Sequence, residues 1–257
     1  MVFHREDSHI SLYLQRIGTT DFWLHYPLIR GTGKTLGMNF KAFPNGNGYL
    51  PQKAYLCFPN YYVRMIRVAC IGDSITWGFT LLNPSRQSYP ALLQEKLGEG
   101  YIVRNFGYND ASARFDADTP YVRKKVYNKS LVWNPDIVLL MLGTNDTKRR
   151  NWDPEIFRRD YRQLVQSYLD LPSVPRVILI APIRIFLPVH IPLLGLYPET
   201  MECGVRPAIR EIAEEMGLEI VDLVDLFPDS KYMMDGVHPQ ATGARMLAEA
   251  IYSAVKW

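Results

Sequence analysis

Five short apolar segments alternate with stretches of helical periodicity from Ile66 onward, and this alternation restricts the fold more than any other feature of the chain. The first predicted strand runs from Ile66 into Gly72-Asp73-Ser74, and the other four cover residues 101–106, 136–142, 176–181 and 218–223. Strands that alternate with helices form a parallel sheet that is covered on both faces. The pattern predicts an α/β fold, a flavodoxin-like three-layer α/β/α sandwich with a five-stranded parallel sheet.

The intervening segments carry helix signals. The first predicted helix starts at Ser88 and Pro90, and the second covers residues 119–131. The third starts at Asp153 and Pro154, and the fourth ends at Gly217. The last runs from about residue 239 to 255. Residues 182–198 form a proline-rich apolar segment that is too long for a simple connector.

Residues 1–65 differ in character from the rest of the chain. They contain 12 of the 32 aromatic residues, and an Asn-Gly-Asn-Gly sequence at residues 45–48 predicts a hairpin or an aromatic-rich loop. We therefore divide the chain into an N-terminal extension, residues 1–65, and a main domain, residues 66–257. The extension is either a small β-rich unit packed on the main domain or part of a wall that faces the substrate.

The composition restricts the partners and the compartment. The net charge of +3 is too small to indicate a nucleic-acid partner, and no apolar run reaches the roughly 20 residues of a membrane span. The first residues lack the pattern of a signal peptide, so the expected location is cytoplasmic. Three cysteines at these spacings suit neither a disulfide framework nor a zinc site. The composition does not distinguish a monomer from an oligomer.

Polar residues and glycines follow the predicted strands, at the edge where open α/β sheets bind ligands. Ser74 follows the first strand, Gly107 the second and Asn145 the third, whereas Asp235 and His238 precede the last helix. The carboxyl edge of one parallel sheet would bring all five residues into one cleft.

These residue types are those that ester hydrolysis by a serine nucleophile requires. His238 would accept the proton of Ser74, and Asp235 would fix the tautomer of the imidazole. The amides of Ser74 and Gly107 and the side-chain amide of Asn145 would donate to the oxyanion.

The same four blocks resemble those of the SGNH hydrolase superfamily, also called the GDSL-type esterases. They are Gly72-Asp73-Ser74, Gly107, Gly143-Thr144-Asn145-Asp146 and Asp235-Gly236-Val237-His238. The resemblance covers about residues 66–257. It implies a serine esterase that needs no metal or organic cofactor. The chain departs from the family at Gly107-Tyr108-Asn109-Asp110, where many members follow the glycine with small residues.

The first and third blocks look most like the carbohydrate-esterase branch, which removes acetyl groups from sugars. The expected substrate is therefore a small-molecule or carbohydrate ester. Candidate substrate-binding residues are Trp77, Tyr89, Tyr108 and Phe186, for which core packing is an equally good interpretation. Two alternatives stay open at this point: an esterase, thioesterase or lysophospholipase for longer acyl chains, with residues 182–198 as a lid, and a sugar-binding module without activity.

Overall fold

A computed structural model describes residues 65–187 and 193–256 and, before them, five short strands. The chain divides into two compact units, Met1–Met65 together with Trp257, and Ile66–Lys256. The assignment of the first unit as an extension and of the second as a hydrolase domain stays a prediction.

The strands of the first unit form an antiparallel sheet. They are β1 (Arg5–Glu6), β2 (His9–Gln15), β3 (Asp21–Pro27), β4 (Tyr55–Phe58) and β5 (Tyr61–Arg64). Strand β2 pairs with β1, β3 and β5, and β5 pairs with β4. The hairpin predicted near residues 45–48 lies outside the described residues.

The second unit is built on a parallel five-stranded sheet, as the alternating pattern predicted. Its strands are β6 (Ile66–Gly72), β7 (Tyr101–Gly107), β8 (Ile137–Met141), β9 (Arg176–Ala181) and β10 (Glu219–Asp222). The spatial order is β10-β9-β8-β6-β7, the doubly wound order of the flavodoxin-like fold. The predicted fold class is confirmed. In the register of the sheet, Gly72 lies opposite Gly107 on one side and opposite Met141 on the other.

Helices connect the strands. They are α1 (Ser74–Trp77), α2 (Pro84–Gln87), α3 (Tyr89–Leu97), α4 (Lys125–Trp133), α5 (Pro154–Leu169), α6 (Pro198–Thr200), α7 (Arg206–Glu215) and α8 (Ala241–Val255). A π-helical segment, Met201–Val205, joins α6 to α7. Among the helices that the structure describes, none has both the length and the apolar composition of a membrane span.

The helix predicted over residues 119–131 begins later than its sequence indicates, at Lys125. Residues near 119 are held by another segment: Ser112 donates its N–H to the Thr119 carbonyl, and Tyr121 donates its N–H to the Ser112 carbonyl, both at 2.9 Å. Backbone groups bound in this way cannot join a helical ladder, so the helix forms only beyond them.

Two apolar clusters cover the faces of the sheet and explain the three layers. Successive residues of a strand point to opposite faces, so Leu140 packs in one cluster and Leu139 in the other. Helices α5 and α7 contribute side chains such as Tyr161 and Ile209 to the first cluster. Helices α3 and α8 contribute side chains such as Leu93 and Leu247 to the second.

Helix α1 passes unusually close to two glycines at the carboxyl ends of β6 and β7. A Cβ atom at Gly107 would clash with the backbone nitrogen of Trp77 and lie 2.8 Å from the carbonyl carbon of Thr76. A Cβ atom at Gly72 would clash with the Thr76 hydroxyl and lie 2.7 Å from the Met141 carbonyl oxygen. The obstacles at Gly107 belong to the backbone, so a side chain there would displace α1 itself.

We therefore expect Gly107→Ala to lower the free energy of unfolding by about 2 kcal/mol or more, because it overfills a contact made by backbone atoms. Gly100→Ala is the matched control, since a Cβ atom at Gly100 meets nothing within 4 Å. Urea denaturation of both variants measures the difference. Equal stability of the two would contradict the proposed packing of α1.

Candidate active site

Ser74 is the first residue of α1, and only Asp73 separates it from the end of β6. Asp73 caps the helix, because its Oδ1 accepts the N–H of Ile75 at 2.9 Å. The helix ends after one turn at Gly78, whose φ of 93° lies in the left-handed region that favours glycine. The hydroxyl of Ser74 is thereby presented at the carboxyl edge of the sheet, with 7% of the residue exposed.

His238 lies beside Ser74 although 164 residues separate them in sequence. The Ser74 Oγ is 2.8 Å from His238 Nε2, and His238 Nδ1 is 2.7 Å from Asp235 Oδ2. The other oxygen of Asp235 accepts the N–H groups of Val237 and His238 at 3.0 and 2.9 Å. One carboxylate therefore fixes both the ring of His238 and the turn that carries it.

The Asp235 carboxyl group is held in its ionised form. Partial burial raises its pKa, but hydrogen bonds from the backbone N–H and the imidazole of His238 more than offset this, and the pKa lies below its ordinary value. An ionised carboxylate at Nδ1 leaves Nε2 as the acceptor that faces Ser74.

The three predicted oxyanion donors differ in whether their N–H groups already have a hydrogen-bond acceptor. The Ser74 N–H is at the first position of a helix, where no intrahelical acceptor exists. The Asn145 Nδ2 donates one hydrogen to the Ala111 carbonyl at 3.1 Å, which leaves its second hydrogen. The Gly107 N–H already donates to Asn105 Oδ1 at 2.8 Å.

Asn105 is a residue that the sequence interpretation missed. Its Nδ2 donates to the Thr76 carbonyl at 2.7 Å, while its Oδ1 accepts from Gly107. The side chain therefore ties the end of β7 to α1, the helix that carries Ser74. The signal in the sequence was an asparagine two residues before the glycine that ends the predicted strand.

Two further carboxyl groups, those of Asp73 and Asp146, are buried beneath the site. Burial raises the pKa of Asp73 to about 6, against the opposing effect of the Ile75 N–H. Burial raises the pKa of Asp146 to about 7, against the opposing effect of hydrogen bonds from the N–H groups of Ala113 and Arg114. Both residues follow or precede a predicted site residue in sequence, but neither contacts the Ser74 hydroxyl through a hydrogen bond.

A cleft of about 440 Å³ opens beside Gly107. Its lining residues include Trp77, Gly107, Tyr108, Asn109, Asp110 and Lys124. Trp77 and Tyr108 expose 42% and 41% of their surface, so two of the four candidate substrate-binding residues border this cleft.

The other two candidates lie elsewhere. Tyr89 is 1% exposed in the cluster beneath α3 and α8, and its hydroxyl lies 3.2 Å from the Thr76 hydroxyl. Phe186 is partly buried against the same cluster. Burial favours the core-packing interpretation for Tyr89, whereas Phe186, whose N–H donates to the Gly236 carbonyl in the turn of His238, stays a candidate. The ring that does approach the base, and that the sequence interpretation missed, is Phe79, whose centroid is 4.8 Å from that of His238.

No group of three or more histidine, cysteine or acidic side chains within the described part of the chain is arranged to hold a metal ion.

Comparison with known proteins supports the interpretation of these blocks. Residues 70–246 match the model of the GDSL-like lipase/acylhydrolase family. An acetylxylan esterase of Xylanibacter ruminicola is 35% identical in an alignment 211 residues long that covers 74% of this chain. The match spans 43% of the length of that relative. These matches confirm the family resemblance that the sequence blocks indicated.

Solved structures share the fold of the second unit. A carbohydrate acetylesterase of Sinorhizobium meliloti is 25% identical and superimposes with a TM-score of 0.59 over 74% of this chain and 98% of its own. The native aryl esterase of M. smegmatis, at 22% identity and a TM-score of 0.61, covers the same shares and shows the likeness of fold.

The raised pKa of Asp73 predicts how stability depends on pH. The ordinary value is 3.8 and the folded-state value about 6, so the unfolded chain releases this proton first as the pH rises. Stability is therefore lost between about pH 4 and pH 6, and Asp73→Asn, which has no proton to release, should be more stable above this range by about 3 kcal/mol. At pH 4 the advantage should nearly vanish.

Urea denaturation of wild type and Asp73→Asn at pH 4 and pH 8 measures this difference, with Asp225→Asn as the control because 91% of the Asp225 side chain is exposed. If the stability difference between Asp73→Asn and wild type were the same at both pH values, folding would leave the pKa of Asp73 unchanged.

Proposed function

Because the chain belongs to the GDSL-like lipase/acylhydrolase family, we propose that it is a serine esterase that hydrolyses small acyl esters, acetyl esters first, on a carbohydrate. The observation that carries this proposal is the continuous hydrogen-bonded chain from Ser74 Oγ through His238 to Asp235, with heavy-atom distances of 2.8 and 2.7 Å. A chain of this kind activates a serine hydroxyl.

In the acylation step, His238 Nε2 accepts the hydroxyl proton while Ser74 Oγ attacks the ester carbonyl. The imidazolium that forms is stabilised by Asp235, which already accepts a hydrogen bond from Nδ1. The tetrahedral intermediate then collapses, and His238 returns the proton to the departing alcohol.

The oxyanion is held by the Ser74 N–H and by the second hydrogen of Asn145 Nδ2. Donors that are fixed before the reaction lower the barrier most, and the bond from Asn145 to Ala111 fixes its side chain. The Gly107 N–H would join them by sharing its hydrogen between Asn105 and the oxyanion.

Deacylation repeats the same steps with water. His238 takes a proton from a water molecule, the water oxygen attacks the acyl carbonyl, and Ser74 leaves with the proton that His238 returns. The products are a carboxylic acid and a regenerated serine.

The described part of the segment after β9 favours a short acyl group over a long chain. Ile183, Ile185 and Leu187 are buried in the apolar clusters, and the N–H of Phe186 donates to the Gly236 carbonyl at 2.8 Å. A lid for lipid substrates would need apolar side chains that can leave the core. Residues 182–187 are instead anchored to the core and to the turn of His238.

Two relatives support the choice of an acetyl ester. The relative from X. ruminicola is an acetylxylan esterase, and the structural relative from S. meliloti is a carbohydrate acetylesterase. A sugar-binding module without activity would have no need for the paired bonds that orient His238.

Ser74→Ala should lower kcat/KM for nitrophenyl acetate by at least about 10³-fold, because it removes the nucleophile, while the Tm stays within a degree or two because the Asp73 cap remains. Ser253→Ala, at an exposed position of α8, is the matched control and should retain full activity. A serine-directed fluorophosphonate should label wild type but not Ser74→Ala. Activity above a tenth of wild type in the alanine variant would exclude Ser74 as the nucleophile.

The proposed acyl preference predicts the order of three nitrophenyl esters. The specificity constant should fall from acetate to butyrate to octanoate, because residues 182–187, which would have to open for a longer chain, are anchored to the core and to the turn of His238. In a true acyl channel each buried methylene would improve transition-state binding by up to about 0.8 kcal/mol, and the specificity constant would rise with length. Steady-state kinetics at one pH measure this order, and a steady rise would favour the lipid esterase.

A further inference from the structure

We propose that the cleft beside Gly107 binds the alcohol half of the ester, and that this alcohol is an uncharged sugar residue. The inference rests on the proposed esterase function, because it assigns the leaving group of that reaction to a site. The residues that give the cleft this character are Tyr108, Asn109, Asp110 and Lys124.

The cleft is lined by two residues that lie near the nucleophile, Trp77 and Gly107. Trp77, which borders it, is the last residue of the four-residue helix that Ser74 begins, so their Cα atoms are about 5 Å apart along the axis. Gly107, a candidate oxyanion residue, also lines it. The volume of about 440 Å³ lies within the roughly 300–1,000 Å³ of small-molecule sites, so the cleft can hold a group attached directly to the reacting ester.

The cleft offers two aromatic rings to a ligand. Trp77 and Tyr108 each expose about two-fifths of their surface, far more than an aromatic residue of the core. Lys124 Nζ lies 5.1 Å from the centre of the Tyr108 ring, which restrains the ring through a cation–π contact. Rings of this kind suit the apolar faces of a sugar and leave its hydroxyl groups free to hydrogen-bond.

The polar groups of the cleft fit hydroxyl groups, which both donate and accept. Lys124 has no acidic partner among the residues that the structure describes, and it offers donors only. Asp110 offers acceptors: its carboxylate is 71% exposed and 3.7 Å from Lys148 Nζ. Asn109 Oδ1 is buried and accepts no hydrogen bond from the described residues, so a hydroxyl that reached it would satisfy an unpaired acceptor. The lining carries one carboxylate, Asp110, and one ammonium group, Lys124, so it offers no net charge to an ionised ligand.

The wall of the cleft is held in place before any ligand binds. The Asp146 carboxylate accepts the N–H groups of Ala113 and Arg114, both at 2.9 Å. Asn151 Nδ2 donates to Asp118 Oδ1 at 2.7 Å and to the Asn145 carbonyl at 3.0 Å. These contacts join the segment after Tyr108 to Asn145. A wall that needs no ordering on binding loses little affinity to conformational entropy.

The test compares two substrates on the full chain: a monoacetylated neutral methyl glycoside, whose alcohol half fills the cleft, and ethyl acetate, whose alcohol half is too small to fill it. Tyr108→Ala and Lys124→Met should each lower the ratio of kcat/KM for the glycoside to that for ethyl acetate, Tyr108→Ala by about tenfold. Lys125→Met is the matched control, since Lys125 is exposed and does not line the cleft, and it should leave the ratio unchanged. An unchanged ratio in both cleft variants would overturn the assignment.

Binding to Ser74→Ala separates this inference from the proposed function. Calorimetric titration with the neutral methyl glycoside, the matching methyl uronate and a lysophospholipid should show preference for the neutral glycoside, and Tyr108→Ala should weaken its binding. Preference for the uronate or the lysophospholipid would overturn the assignment to a neutral sugar. If wild type hydrolysed no acetyl ester but bound the glycoside through Tyr108, the esterase proposal would fail and the sugar site would stand.

Discussion

The backbone of α1 lies directly against Gly72 and Gly107, and the position of Ser74 depends on this contact. Both glycines end neighbouring parallel strands, so together they form a flat floor on which a helix without intervening side chains can rest. Asn105 closes the arrangement by donating to the Thr76 carbonyl. The glycine of the second block therefore has a steric role that is separate from any role as an oxyanion donor. The steric role requires glycine at this position, whereas the role as an oxyanion donor requires only a backbone N–H.

A second constraint links Asn145 to the cleft. Asp146 holds the backbone at Ala113 and Arg114, and Asn145 itself donates to the Ala111 carbonyl. The residue proposed to stabilise the oxyanion and the wall proposed to hold the sugar therefore share one network of buried hydrogen bonds. Partly buried networks of this kind are rigid when every member is satisfied. A substitution in the wall of the cleft should therefore also alter the position of Asn145. The network thereby couples positioning of the acyl carbonyl to recognition of the alcohol.

The two buried carboxyl groups show that the geometry of the site lowers the free energy of unfolding at neutral pH. Asp73 caps the helix of the nucleophile, yet its second oxygen accepts no hydrogen bond from the described residues. Burial raises the pKa of Asp73 and of Asp146 towards neutrality. Groups that the core would exclude on energetic grounds are retained where they fix a backbone segment. The site is formed before any ligand binds, and the free energy of unfolding at neutral pH and above is lower as a result.

The sequence by itself determined the parallel sheet and the residues gathered at its edge, because apolar periodicity reports local burial and the carboxyl ends of parallel strands lie at one edge. It also predicted Ser74, Asn145, Asp235 and His238 as site residues, because the proposed chemistry requires these residue types. Only the tertiary structure decided that Asn105 ties α1 to β7, that α4 begins at Lys125, and that Tyr89 packs in the core while Tyr108 borders the cleft. These outcomes depend on partners from distant segments, and no local pattern specifies which segment will supply a hydrogen bond.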